Sequence, residues 1–110
     1  MNTQYDRIDF LEFFDEENSI NQEKNVIEYK INYQDGDVFT LCLFLNDEKA
    51  IIKLCKPQLE RPVFDVEIHG IKKITCDKNL VQFYKDAISW YADPFFKVLI
   101  RPYTSWEYAI

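Results

Sequence analysis

Only two glycines and four prolines occur in 110 residues, which excludes a glycine-rich phosphate cradle and a flexible low-complexity linker. Histidine is almost absent, so any acid–base or Cys–His mechanism that needs imidazole must pass through His69, the single one. No serine or cysteine stands in a recognisable nucleophile motif, and no Walker or dinucleotide pattern occurs. Cysteine is scarce and odd in number. Cys42, Cys55 and Cys76 lack any C-x-x-C spacing and sit in or beside apolar runs, so they read as reduced small hydrophobes. Long apolar runs are missing too: Val38–Leu45 falls far short of the roughly 20 residues a spanning helix requires. Met1–Asp6 shows neither the basic start nor the apolar stretch of a secretory leader, so the expected compartment is the cytoplasm.

Positive charge is in short supply. Thirteen lysines and arginines face nineteen acids, giving a net charge of −6 and an isoelectric point near 4.7. Direct binding to nucleic acid or to an anionic membrane is thereby disfavoured, and a basic partner is favoured. The imbalance is concentrated in residues 1–24, where seven acids meet only Arg7 and Lys24 for a net of −5, and the remainder is close to neutral.

What the chain does have is apolar and aromatic content, 47% and 16%, enough for one self-supporting core in a single domain spanning 1–110. Within it, 1–24 reads as an acidic helix and connector, and 25–110 as an antiparallel β body. Phe10, Leu11, Phe13 and Phe14 form one apolar stripe, which predicts a helix over Ile8–Asn18 with an acidic opposite face. Ser19–Lys24 reads as a polar connector. From Asn25 the period becomes two: Ile27, Tyr29, Ile31 and Tyr33 alternate with Glu28, Lys30 and Asn32. Asp35-Gly36 marks a hairpin turn, and Val38–Leu45, apolar on both faces, reads as a central strand. Ala50–Lys56 follows as a strand that stops at Pro57. Val63–Thr75 reads as one long strand with a β-bulge at Gly70. Lys78–Asp86 suits either helix or strand. Ala87–Ala92, Phe96–Arg101 and Ser105–Ile110 read as the last strands. The fold class is therefore mainly β, with α+β as the variant: a meander of about seven strands curled into a sandwich or partly open barrel behind a short N-terminal helix.

Three candidate surfaces emerge. Asp65, Glu67 and His69 share one strand face at roughly 7 Å per step, which offers metal-ligand types; one strand rarely converges three ligands on one ion, and a solvated outer face is the plainer reading. The acids Asp9, Glu12, Asp15, Glu16 and Glu17 could meet a basic partner, although acidic runs near a terminus are often only solvated. Tyr84, Trp90, Tyr91, Tyr103, Trp106 and Tyr108 crowd the last third as core members or interface anchors.

At Val66-Glu67-Ile68-His69-Gly70-Ile71-Lys72-Lys73-Ile74 the chain resembles a strand pattern of small immunity proteins from bacterial polymorphic-toxin and contact-dependent growth inhibition systems: a β-run, a glycine, then two spaced aliphatics. The resemblance extends over the meander from Ile27 to Ile110. It implies a cytosolic antidote that covers the active site of a toxin, often a basic nuclease, and needs no cofactor or catalytic residue of its own. Contact surfaces diversify in such families, so the five acids are assigned as partner-binding residues from charge alone. Two rival expectations stand beside this one: a phage-type inhibitor whose acids imitate nucleic-acid phosphates, and a small metal- or ligand-binding protein using Asp65, Glu67 and His69.

Overall fold

The period-two pattern that starts after Asn25 lays down two successive meanders, within each of which strands pair with their neighbours in sequence. The computed structural model describes residues 3–77, 79–85, 94–99 and 105–108, the last four as backbone. After a short helix, α1 (Arg7–Phe13), five antiparallel strands follow in spatial order: β1 (Glu16–Asn21), β2 (Val26–Asn32), β3 (Val38–Phe44), β4 (Lys49–Cys55) and β5 (Phe64–His69). A second antiparallel sheet holds β6 (Lys73–Asp77), β7 (Leu80–Tyr84), β8 (Phe96–Leu99) and β9 (Ser105–Tyr108). The protein is mainly β, as expected, and β3 is indeed central in its sheet.

Alternation decides what is buried. Tyr29 and Ile31 of β2, Phe39, Leu41 and Leu43 of β3, and Ala50 and Ile52 of β4 point to one side of the first sheet. They join Ile74, Val81, Phe83, Phe96 and Val98 of the second sheet in a single apolar cluster, so two sheets share one core. Full burial of each large side chain stabilises the fold by roughly 1.5–3 kcal/mol.

Three sequence expectations are corrected. The helix stops at Phe13, because Phe14 adopts an extended conformation and turns its ring into the core. Glu16–Asn21, read as helix end and connector, is instead an edge strand paired with β2 from Glu16↔Lys30 to Ser19↔Ile27. It lies exposed along almost its whole length, so it shows no alternation of polarity. The third correction concerns Gly70, which does not bulge one long strand. At φ +72° it ends β5, and the chain leaves the first sheet for the second. Of the undecided segment, Leu80–Tyr84 is strand. The strand expected over Ala87–Ala92 lies outside the described residues, as do Ile100, Arg101, Ala109 and Ile110 at the ends of the last two expected strands.

Turn chemistry fixes the corners. In the Tyr33–Asp37 connection Tyr33 N–H donates to the Asp37 carbonyl, Gly36 takes φ +93°, and the Asp37 carboxylate accepts from Lys56 Nζ at 2.8 Å. Glu48, left-handed at φ +52°, accepts from Ile71 N–H through its carbonyl, and both its carboxylate oxygens contact Lys72 Nζ, at 2.8 and 2.7 Å. This bond ties the β3–β4 turn to the passage between sheets. Thr3 reaches the same place: its N–H donates to the Leu45 carbonyl and its hydroxyl to the Ile71 carbonyl at 2.7 Å. Gln4 then makes a one-residue parallel bridge with Lys73 of β6. No helix among the described residues is long and apolar enough to cross a membrane.

Candidate protein-binding surface

The N-terminal segment is built around Phe10. Asp6 caps α1, its Oδ1 accepting from Ile8 N–H at 2.9 Å, and this starts the helix in the register that buries Phe10 completely. The Phe10 ring lies 5.1 Å from that of Tyr29 and 5.5 Å from that of Phe14, which also packs on Phe39. With Phe10 inward, the helical period turns Ile8 and Glu12 outward and leaves Asp9 and Leu11 on opposite flanks. Ile8 is 67% and Leu11 45% exposed. Leu11, expected in the apolar stripe, therefore faces solvent with Ile8, one turn away.

The five acids do not form one patch. Asp9 and Glu12 are exposed on α1 and make no ion pair or hydrogen bond among the described residues. Asp15 and Glu16 are exposed at the start of β1, and both hold Asn32: Asp15 Oδ2 accepts from its N–H at 2.7 Å and Glu16 Oε2 from its side-chain amide at 2.8 Å. Glu17 is different. It turns inward, half-buried, taking two hydrogen bonds from Arg7, at 3.0 and 2.6 Å, and one from Tyr29 Oη at 2.7 Å. The Arg7 hydrogen bond above all holds its carboxyl below the usual glutamate range, with burial opposing and Tyr29 assisting. Burial, with the hydrogen bonds to Tyr5 and Glu17, raises the Tyr29 phenol far above its ordinary value.

The outer face of the first sheet carries mixed charge. Glu28 stands 3.5 Å from Lys30 and Glu67 3.8 Å from Lys49, with Lys53 opposite Asp65 in the β4–β5 ladder. On β5, His69 Nε2 and Glu67 Oε2 are 2.7 Å apart. Asp65, Glu67 and His69 do share a face, but each is set across the ladder from its own β4 residue, and among the described residues no three such side chains are grouped to hold a metal ion.

Sequence reading missed a groove of about 590 Å³ between α1 and β6, lined by Gln4–Phe10 and Lys73–Cys76. Cys76 contributes to it. Burial first, then the charges of Asp9 and Asp77, pushes its thiol up to about 12, so it stays protonated at neutral pH. Cys42, on β3 opposite Glu28, is raised as well, chiefly by burial. Among the aromatic candidates, Tyr84 is half-buried beneath Lys73 Nζ, 4.5 Å from its ring centre. Trp90, Tyr91, Tyr103 and the side chains of Trp106 and Tyr108 lie outside the described residues. The i, i+3 spacing of Ile8 and Leu11 was the signal available for the exposed apolar pair; the groove, formed by segments nearly seventy residues apart, left none. Neither the protein-family models, nor the curated proteins, nor the solved structures contain a match to this chain.

Proposed function

We propose that this chain is an immunity-type binding protein that neutralises a basic toxin domain in the cytoplasm, and that the outer face of α1 makes the central contact. Ile8 and Leu11 supply an apolar centre, Asp9 and Glu12 a charged border, and Asp15 and Glu16 extend it along the start of β1. The observation that carries the reading is the exposure of two large aliphatic side chains one turn apart, 67% and 45%, beside two carboxylates that no described residue neutralises. Apolar centres with polar rims are how protein interfaces combine affinity with selectivity, and clustered acids accelerate encounter with a cationic partner. Glu17 serves the surface from behind, anchoring Arg7 at the start of the helix.

The test is calorimetric titration against the product of the adjacent gene at low and high salt. Tight binding that weakens with salt, and falls at least about tenfold in Leu11→Ala and in Glu12→Lys, supports the reading. Affinity and salt dependence that stay unchanged in both variants overturn it.

A further inference from the structure

Among the described residues, the edge of β6 is unpaired beyond the point where the N-terminal segment leaves it. Gln4 N–H donates to the Lys72 carbonyl at 2.9 Å and Ile74 N–H to the Gln4 carbonyl at 2.9 Å, which is a parallel ladder one residue long. Because Ile74 N–H points to this side, the alternation of a strand turns the Ile74 carbonyl and the Cys76 N–H to the same side. Among the described residues no strand covers them: the chain turns into α1 at the Asp6 cap, and the groove lies between that helix and β6, where the next residues of a strand would run. Its volume, about 590 Å³, is that of a ligand site, and its walls are Ile8 and Asp9 on one side and Thr75 and Cys76 on the other.

Charge selects the occupant. Arg7 is committed to Glu17, Lys73 lies over the Tyr84 ring, and the Asp6 carboxylate caps the helix. Lys73 keeps its charge but directs it at the Tyr84 ring, so Asp9 is the lining carboxylate that neither caps the helix nor pairs with a cation among the described residues, and Asp77 is close enough to act on the same thiol. We propose that β6 is completed by an extended cationic segment of the protein partner, which adds to the sheet edge at Ile74 and Cys76 and sets a lysine or arginine against Asp9. Such strand addition draws affinity from main-chain hydrogen bonds and specificity from alternate side chains. The inference rests on the reading of the chain as a binder of basic proteins and names how part of that partner is held.

The probe is a blocked octapeptide of alternating lysine and valine, titrated into the intact protein while amide hydrogen exchange is followed residue by residue. At saturation the Cys76 amide is expected to exchange at least tenfold more slowly, Asp9→Asn to weaken binding at least threefold, and N-methylation of alternate peptide residues to abolish protection. The proposal is overturned if the peptide does not bind at millimolar concentration, if it binds while Cys76 exchange is unchanged, or if a glutamate–valine peptide protects Cys76 equally. Leu11→Ala and Glu12→Lys, which alter the outer face of α1 and not the groove, leave this protection intact. Retained Cys76 protection with no effect of those two variants on partner affinity therefore condemns the helix-face reading alone, and the opposite pair of results condemns strand addition alone.

Discussion

Tyr29 Oη donates to Glu17 Oε2 at 2.7 Å while Arg7 grips the same carboxylate from the other side, so an edge strand, a core tyrosine and the first residue of α1 meet at one side chain. Tyr29→Phe keeps the ring packing and removes the hydroxyl. The expected loss is about 1–2 kcal/mol, read as a lower urea midpoint with an unchanged slope.

The same carboxylate gives a pH signature. Its folded pKa lies below its unfolded one, so its contribution is complete where the unfolded chain is already ionised and disappears as pH falls through the folded value. Glu17→Gln is expected to be less stable than the parent at neutral pH, with the gap closing as the solution is taken into the acid range. A constant gap in urea midpoints across that range contradicts the assignment.

Phe10 pins the helix to the sheet. It is fully buried against Tyr5, Phe14 and Tyr29, and Phe10→Ala should cost about 3–5 kcal/mol. Because α1 carries the proposed contact surface, amide exchange in Arg7–Phe13 should quicken at denaturant concentrations that leave β2–β4 protected.

Gly36 answers to backbone geometry. At φ +93° with Pro57 Cγ 3.1 Å from where a Cβ would stand, Gly36→Ala should lose about 1–2 kcal/mol. Thermal melting of the variant measures it.

Cys76 should be a poor nucleophile despite lining a groove. With its thiol pushed up to about 12, alkylation by iodoacetamide near neutral pH should run at least about thirtyfold more slowly than for a free thiol, the loss of thiolate being offset in part by its greater nucleophilicity. Peptide mass spectrometry over a time course gives the rate.

The sheet was legible wherever one face met the core and the other met water. Ile27, Tyr29 and Ile31 against Glu28, Lys30 and Asn32 placed β2 correctly, and Asp35-Gly36 placed its turn. Legibility failed where that contrast vanished. Glu16–Asn21 is solvated on nearly all sides, so its pairing with β2 leaves no hydrophobic trace. Gly70 announced a change of phase, but phase alone does not distinguish a bulge from a change of sheet. The site was half visible: the acids could be counted, yet the inward turn of Glu17 and the outward turn of Leu11 follow from where Phe10 and Tyr29 lock together, a tertiary fact.

The lone bridge between Gln4 and Lys73 also orders events during synthesis. Among the described residues every ladder in the two sheets joins strands adjacent along the chain and can close as soon as its hairpin emerges from the ribosome, whereas Gln4 must wait for a partner sixty-nine residues later. Gln4 is thus fastened after the hairpins that follow it, and a nascent chain halted before Lys73 would display the segment ahead of α1 unlatched from β6.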